Sequence, residues 1–426
     1  MTTFVPLALR LVDTDWADRV PSPAHDALSP DQRRTFLKAN PDSYLTVTRS
    51  PEDVAPGEKT RSADEVLSEG RVALDRLIDR ATFGIEHPPR FYAYRLRLSN
   101  PDRGNHQQTG IVGGIALTDY TSGELRVHEQ VEADRTLHLA RHLGVVGAQS
   151  SPLAVAHRPL ASIDALLSRV TVTEPAVVAV GGDGLEQTVW AITEPTDNET
   201  ISAALANSPT YIVDGHHRTA AGQTYHAATK TQKSGLILVA LFSTDLLLNR
   251  AFHRVIKGQS LSALREAVGS RLRWRECSFE DVEGRDHDEV ALYGDRQWAL
   301  LQLPFSADAP SNAVAPSSAD APSRATDPAL ALANLDPVRL DEQLLRPILG
   351  IDATDAGRRI SYRAGTADLR VLAKGLRSRE SVLCVNRAVP IDLLLDAADA
   401  GLVMPPKSTY FEPKVRSGVF VRSITD

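Results

Sequence analysis

The stretch TYIVDGHHRTAAGQTYH, residues 210–226, decides how the centre of the chain folds. An apolar run stops at Asp214 and Gly215, and two histidines and Arg218 come directly after it. Glycine permits a tight turn, and the residues after it suit a helix that begins immediately. The pattern therefore predicts a strand, a sharp turn and a helix that carries the histidines and Arg218 in its first turn.

The predicted turn has the properties of an anion site. The first N–H groups of a helix lack intrahelical acceptors, and the positive end of the helix dipole adds to them. Gly215 lets the backbone approach a ligand, and Arg218 supplies a forked cation. His216 and His217 can donate hydrogen bonds to phosphate oxygens. We predict a phosphate cradle in this turn; the alternative is an ordinary turn in which Asp214 only caps the helix.

Outward from this stretch, short strands and helices alternate along the chain. GLILVALF at 235–242 predicts a strand, so that the strand–helix–strand order suggests a βαβ-like unit. Alternating apolar residues predict one hairpin around NPDRGNHQ and another over 176–193, whose glycine-rich turn lacks the lysine of a P-loop. Residues 62–84 predict an amphipathic helix and residues 43–50 a strand. The fold class is α/β, of mixed α+β type.

The composition limits the classes of function. With 42% hydrophobic and 24% charged residues the chain is typical of a soluble globular protein. A formal charge of -7 argues against general affinity for nucleic acid. Cys277 and Cys384 form neither a metal pattern nor a disulfide framework, which favours the cytoplasm. No export signal or membrane-spanning segment is predicted, so we expect a cytoplasmic protein without a membrane partner.

Two further groups upstream are candidates for chemistry. Glu129, preceded by His128, comes after a predicted strand, where a glutamate can act as a general base toward a hydroxyl group or water. The alternative is a solvated acid that opens a helix. His138 and His142 have a spacing that can bind zinc, but the segment lacks the glutamate of H-E-x-x-H and no third ligand is evident. We therefore predict no protein-bound metal there.

Four segments of the chain, taken in order, resemble segments of a known protein family. They are His128-Glu129, YIVDGHHRTAA at 211–221, AFHRVI around His253, and GLVMPPKSTYFEPKVRSGVFV at 401–421. In these segments, their order and their approximate spacing the chain resembles the bacterial and archaeal domain of unknown function 1015 family. That family is similar to the free serine kinases of the ParB/sulfiredoxin-like superfamily, in which a D-G-H-H-R segment binds nucleotide phosphates and an upstream glutamate serves as the base.

The resemblance implies a function and a set of site residues. It implies transfer of a phosphoryl group from ATP or ADP, with Mg²⁺, to the hydroxyl group of a small metabolite, with free L-serine as the leading candidate. The alternatives are a non-catalytic nucleotide-responsive binding or regulatory module, and a nucleotide hydrolase without an acceptor. The implied catalytic residues are Glu129 and His128, the implied nucleotide-binding residues are Asp214, Gly215, His216, His217, Arg218 and His253, and Lys407 is a further candidate.

The predicted domain organisation rests on these motifs and on composition. The Ala/Pro/Ser-rich stretch near residue 310 cannot bury enough apolar surface to fold, and the motif at 404–414 is too specific for a loose tail. We predict an N-terminal α/β segment over 1–90, a ParB/sulfiredoxin-like core over 91–260, an α/β extension over 261–304, a flexible linker over 305–328 and a C-terminal α/β region over 329–426 that packs on the core.

Overall fold

The protein is described by a computed structural model for residues 2–54, 61–100, 104–306, 327–376, 378 and 380–425. Contacts along the chain divide it into two compact units. Unit 1 comprises Met1–Val127, Val131–Leu248 and Pro413–Asp426, and unit 2 comprises His128–Gln130 and Asn249–Glu412.

The strands of the described residues are, in chain order, β1 (Phe4–Val5), β2 (Arg10–Leu11), β3 (Phe91–Asn100), β4 (Gly104–Ala116), β5 (Leu125–Arg126), β6 (Ala148–Gln149), β7 (Leu153–His157), β8 (Val177–Val180), β9 (Leu185–Ile192), β10 (Thr210–Asp214), β11 (Leu236–Ser243), β12 (Leu248–Lys257), β13 (Trp274–Cys277), β14 (Glu289–Gly294), β15 (Gln297–Gln302), β16 (Ile360–Ala364), β17 (Ser381–Val385), β18 (Thr409–Glu412) and β19 (Phe420–Ser423).

The α-helices are α1 (Pro30–Ala39), α2 (Ala63–Asp79), α3 (Leu117–Ser122), α4 (Ala133–Val146), α5 (Ala161–Val170), α6 (Pro195–Ala206), α7 (His216–Thr229), α8 (Leu261–Val268), α9 (Glu280–Glu283), α10 (Pro328–Ala333), α11 (Asp336–Leu340), α12 (Leu369–Lys374) and α13 (Ile391–Asp399). Single 3₁₀ turns lie at Thr14–Trp16, His25–Ala27, Tyr44–Thr46, Pro51–Asp53, Thr244–Leu246 and Ala353–Asp355, and a π-helical turn lies at Asp341–Leu345.

Unit 1 is built on a nine-stranded mixed sheet. Its order is β5-β10-β7-β11-β4-β3-β9-β8, and β1 adds to β4. The two predicted hairpins are confirmed as β3–β4 and β8–β9. The apolar strand residues form one buried cluster with helices α5 and α6, which includes Phe91, Val155, Ile163, Leu205 and Val239. A small sheet, β2-β19-β6, joins the last strand of the chain to this unit.

The predicted strand–helix–strand order around α7 is present, but the βαβ-like unit is wrong. Strand β10 runs antiparallel to β7, whereas β11 runs parallel to β7 on its other side. Strands β10 and β11 are therefore antiparallel to each other, with an upstream strand between them. The order of elements along the chain does not determine the relative direction of β10 and β11. Strand β7, which lies upstream of the predicted unit, fills the position between these two strands.

The amphipathic helix predicted over residues 62–84 is present as α2, Ala63–Asp79. Helix α2 begins after Ser62, whose hydroxyl accepts from the Glu65 N–H while the Glu65 carboxylate accepts from the Ser62 N–H. The predicted strand at 43–50 is wrong. A 3₁₀ turn occupies this position because the Ser43 hydroxyl accepts from the Leu45 N–H and turns the chain locally.

Unit 2 contains a seven-stranded sheet of order β13-β15-β14-β17-β12-β16, with β18 paired to β12. Alternate residues of the same strands enter two different buried clusters. On β12, for example, Ile256 joins one cluster and Val255 the other. Because successive side chains of a strand point to opposite faces, both faces of this sheet are covered.

The predicted mixed α+β class is confirmed. The domain boundaries stay a prediction; we note that residues 249–260, assigned to the core, lie in unit 2. Of the predicted linker, residues 307–326 lie outside the described residues, and Asp327 caps α10. Within the described part of the chain, no helix has the length and apolar character needed to cross a bilayer.

Candidate functional site

The turn between β10 and α7 is a strained, glycine-dependent connection. Asp214 is the last residue of β10, and Gly215 is the N-cap of α7 with φ 114° and ψ 24°. A side chain at this position would place its Cβ 2.5 Å from Leu153 Cδ2. Only glycine fits both the conformation and the space. The sharp turn predicted from the sequence therefore has a defined cause.

Asp214 is not the N-cap of α7, because Gly215 occupies that position. Its Oδ2 instead accepts from Arg218 Nη2 at 2.7 Å, and its Oδ1 accepts from Lys414 Nζ. Arg218 Nη1 also donates to the carbonyl oxygens of Ser151 at 2.8 Å and Pro152 at 2.9 Å. Asp214 is thus the anion that pairs with Arg218 in the first turn of the helix. Through its contacts with Ser151 and Pro152, Arg218 holds the turn in position.

Lys414 is a contact of the turn that sequence reasoning missed. It lies 200 residues beyond Asp214, so spacing alone could not connect the two. The one sequence signal was the segment MPPKSTYFEPK, which ends at Lys414 and which pointed to the family without assigning a role to the lysine. Both residues belong to unit 1.

The two histidines of the turn have different surroundings. His216 is buried, with 4% of its surface exposed. His217 Nε2 accepts a hydrogen bond from the N–H of Glu132 at 3.0 Å, just before α4 begins. A main-chain N–H can only donate, so Nε2 carries no proton in this arrangement. His217 therefore links the beginnings of α4 and α7.

The N-terminus of α7 favours an anion. The first turn of the fourteen-residue helix contains no acidic residue, so no side chain of that turn neutralises the dipole. Strand β5 lies beside β10 and runs parallel to it, with Arg126 opposite Tyr211. The chain therefore leaves β5 at the same sheet edge where β10 reaches Asp214.

His128 and Glu129 belong to unit 2, where main-chain contacts fix them. Glu129 forms a parallel bridge with Met404, and the Met404 N–H donates to the His128 carbonyl at 2.8 Å. His128 is buried, and its Nε2 lies 3.4 Å from Thr409 Oγ1. Glu129 is half-buried. Two segments recognised separately in the sequence, His-Glu and MPPKSTYFEPK, thus meet within one unit.

His253 and Lys407 also lie in unit 2. His253 is 4% exposed on β12, and burial together with the Arg285 charge lowers its pKa to about 4. The ring is therefore neutral at pH 7 and can donate one hydrogen bond. Lys407 has φ 60°, and its Nζ lies 5.6 Å from the centre of the Phe252 ring.

The two histidines on α4 lie one helical turn apart, and His142 contacts the main chain. His142 Nε2 lies 3.1 Å from the Val47 carbonyl, and burial lowers the pKa of its ring. The four-residue spacing between His138 and His142 is that of one helical turn. His142 faces the residue that follows the 3₁₀ turn Tyr44–Thr46.

The chain belongs to the family described as protein of unknown function DUF1015, whose model matches residues 6–336. The predicted family is thereby confirmed. No curated protein matches the chain.

Three solved structures illustrate what the fold is similar to. Free serine kinase in complex with AMP is 13% identical, with a TM-score of 0.37 over 76% of this chain and 94% of that chain. C-terminally truncated SbnI from Staphylococcus aureus is 11% identical, with a TM-score of 0.36 over 72% and 85%. A conserved hypothetical protein from Pyrococcus furiosus is 12% identical, with a TM-score of 0.36 over 76% and 97%. These superpositions are loose, and they carry no weight in assigning a function to this chain.

Proposed function

We propose that this protein transfers a phosphoryl group from ATP or ADP to the hydroxyl group of a small metabolite, with free L-serine as the leading candidate. The observation that carries the proposal is the Gly215 turn. It presents the N-terminus of α7 with no acidic residue in the helix's first turn. The resemblance of D-G-H-H-R to a nucleotide-binding segment specifies phosphate as the anion.

In this proposal the nucleotide phosphates accept hydrogen bonds from the main-chain N–H groups at the start of α7. Arg218 and Asp214 hold the turn in shape through the contacts to Ser151 and Pro152. Rigid donors that already point at the phosphates lower the barrier because they need no rearrangement during the reaction. Positioning and charge neutralisation of this kind dominate phosphoryl transfer.

Glu129 is the proposed general base. The acceptor hydroxyl oxygen forms a bond to the terminal phosphorus while the bond from that phosphorus to the leaving nucleotide oxygen breaks. The hydroxyl proton passes to the Glu129 carboxylate and then to water. The main-chain pairing of His128 and Glu129 with Met404 would hold the base in place.

Mg²⁺ is expected to enter with the nucleotide. Both carboxylate oxygens of Asp214 already face cations, so this side chain fits a magnesium ligand poorly. Mg²⁺ commonly keeps its waters and binds through substrate phosphates with few protein carboxylates. When bound, it would neutralise charge on the phosphate oxygens.

The proposal is tested by product formation. The protein is incubated with Mg²⁺, ATP or ADP and a panel of hydroxyl metabolites that includes L-serine, and phosphorylated products are detected by mass spectrometry. Binding is measured separately as a rise in melting temperature, because a ligand of the native state stabilises it. Product from one acceptor supports the proposal. Wild-type protein that is indifferent to every nucleotide would contradict it.

Glu129→Gln separates catalysis from binding. This change keeps the shape of the side chain but removes the base, so turnover should fall about 10²–10⁴-fold while nucleotide still raises the melting temperature. Glu199→Gln removes an exposed carboxylate on α6 and is the matched control. Unchanged turnover in Glu129→Gln would remove Glu129 from the mechanism. Nucleotide binding without turnover in the wild type would favour the binding module, and nucleotide loss without an acceptor would favour the hydrolase.

A further inference from the structure

Unit 1 contains a groove of about 850 Å³ at the end of α7. Sites for small organic molecules measure about 300–1,000 Å³, so the groove has a suitable size. An α-helix rises about 1.5 Å per residue, so the fourteen residues of α7 place the groove roughly 20 Å from the Gly215 turn. We call it the Arg422 groove, and the lining residues that matter here are Val5, Leu7, Glu86, Lys230, Lys233 and Arg422.

Arg422 gives the groove a preference for one sign of charge. It lies on β19 and is 4% exposed. Its Nη1 donates to Gln149 Oε1 at 3.1 Å and to the Leu236 carbonyl at 2.7 Å, and its Nη2 donates to the Lys233 carbonyl at 2.6 Å. All three acceptors are neutral. These bonds use at most three of the five N–H groups of the guanidinium.

The buried charge of Arg422 has no ion pair among the described residues. Burial lowers the pKa of Arg422 to about 10, although the charge of Glu86 raises it, so the side chain is still a cation at pH 7. A buried charge costs free energy unless it is paired. An anion in the groove would therefore gain a contact that this arginine does not make within the described part of the chain.

Two exposed lysines line the same groove. Lys230 is the C-cap of α7, and Lys233 Nζ donates to the Thr425 carbonyl at 2.9 Å. The dipole of a helix favours a cation at its C-terminus, so Lys230 alone does not indicate a site. Arg422, however, belongs to another element and is buried. The three cations share the groove with one carboxylate among its described lining residues, that of Glu86.

The rest of the lining is largely apolar. It includes Val5 and Leu7 from the N-terminal segment, Pro89, and Leu236 at the start of β11. Apolar surface of this kind favours an apolar ligand body, because burying the body removes it from water. The groove thus combines a cationic part with an apolar part.

We propose that the Arg422 groove binds a small amphipathic anion, a molecule with an apolar body and one carboxylate or phosphate group. The anionic group pairs with Arg422 and the two lysines, and the apolar body lies against Val5 and Leu7. This inference goes beyond the proposed function and does not depend on it, because none of the residues from Asp214 to Arg218 lines the groove.

The experiment measures dissociation constants by calorimetry for four probes. Octanoate and octyl phosphate have both an anionic group and an apolar body, whereas octanol lacks the charge and acetate lacks the body. We expect the wild type to bind one octanoate or octyl phosphate per chain at least about 10-fold more tightly than octanol or acetate. The stronger of the two amphipathic anions identifies the preferred head group.

Two variants locate the binding. Arg422→Met should weaken octanoate binding about 10- to 100-fold. Because this change also removes three hydrogen bonds, Lys230→Glu is the second variant, and its exposed position should leave the fold intact. It should weaken octanoate binding about 3- to 10-fold at low salt and by less than about twofold at about 1 M salt, where charges are screened.

The matched control is Lys38→Glu, which makes the same change of charge at an exposed lysine in the last turn of α1. It should leave octanoate affinity unchanged. Octanol that binds as tightly as octanoate, or octanoate affinity that Lys230→Glu and Lys38→Glu alter equally, would overturn the inference. Wild-type protein that binds octanoate but no nucleotide would overturn the proposed function alone.

Discussion

Each unit has an aspartate near the start of a helix that contacts two cations, Asp214 in unit 1 and Asp336 in unit 2. In unit 1, Asp214 contacts Arg218 and Lys414. In unit 2, Asp336 Oδ1 accepts from Arg339 Nη2 at 2.7 Å, and Arg387 contacts the same carboxylate through its main-chain N–H and its guanidinium. In both cases an aspartate and an arginine lie one helical turn apart near the start of a helix.

The two clusters differ in exposure and in the length of the helix that begins at each of them. The side chains of Asp336 and Arg339 are 4% and 2% exposed, whereas those of Asp214 and Arg218 are 18% and 27% exposed. Arg339 also donates to the carbonyls of Leu303 and His287. Helix α11, which begins at Asp336, has five residues, whereas α7 has fourteen.

The difference shows that charge pairing alone does not identify a functional site. Arg339 and Arg387 donate hydrogen bonds to carbonyl oxygens of unit 2. The cluster at Asp336 therefore connects segments within unit 2. The cluster at Asp214 lies beside a glycine-only turn and the N-terminus of a long helix. We therefore expect the cluster at Asp336 to contribute mainly to stability, and the proposed function gives the cluster at Asp214 a part in binding.

The largest expected effect is on the stability of unit 2. Asp336→Asn removes the only carboxylate that the described residues place in hydrogen-bond contact with buried Arg339. Leaving a buried charge uncompensated costs about 3–5 kcal/mol of unfolding free energy. Burial already lowers the pKa of Arg339, in keeping with a desolvated cation. Urea unfolding monitored by circular dichroism measures the loss.

The matched change in unit 1 is Asp214→Asn. Because this carboxylate is more exposed and its cations can reach water, we expect a loss of only about 1 kcal/mol. Similar losses for Asp214→Asn and Asp336→Asn would erase the distinction between a binding cluster and a structural cluster.

The sequence predicted the elements better than their arrangement. The hairpins, the helix within residues 62–84 and the turn at Gly215 obey local rules of periodicity and glycine conformation, and each was predicted. The position of β7 between β10 and β11 and the contact between Lys414 and Asp214 depend on long-range pairing. No local pattern encodes such contacts in a single sequence, because either partner is compatible with many others.

The same limit applies to His253. The resemblance through AFHRVI made His253 a candidate nucleotide-binding residue, and this assignment stays a prediction. Its burial comes from the β12 register, in which it lies opposite Arg363 of a strand more than a hundred residues away. Sequence reasoning could not predict that environment.

The second prediction concerns this buried histidine of unit 2. Burial and the Arg285 charge lower the pKa of His253 to about 4, below the value of about 6.5 for an unfolded chain. Between these values the unfolded state binds more protons, so stability should rise with pH and be lost as pH falls from about 6.5 to about 4. The contribution is on the order of 3 kcal/mol.

The measurement is the free energy of unfolding at pH 8 and pH 5 in the wild type and in His253→Leu. The variant should lose less stability on acidification than the wild type, because it has no ring to protonate. Equal losses would show that His253 is not protonated on unfolding in this range. The two pH values are compared within each protein, so the cost of the substitution itself cancels.

The third prediction, at Gly215, combines a smaller effect on stability with a sharp effect on binding. An alanine there must adopt φ 114° and place its Cβ 2.5 Å from Leu153 Cδ2 and 3.0 Å from Arg218 Nη2. Backbone strain of this kind costs about 1–3 kcal/mol, and the turn can relieve it only by moving the first residues of α7. We therefore expect Gly215→Ala to fold with a reduced melting temperature and to lose most of its affinity for ADP.

Gly123→Ala is the matched control for this change, because Gly123 has φ 82° but nothing within 4 Å of the added Cβ. It should cost about 1 kcal/mol through strain alone and leave ADP affinity unchanged. The comparison separates the effect of moving the α7 N–H groups on ADP binding from the general cost in stability of an alanine at positive φ. If Gly215→Ala bound ADP as tightly as the wild type, the turn would be a structural connection like the cluster at Asp336.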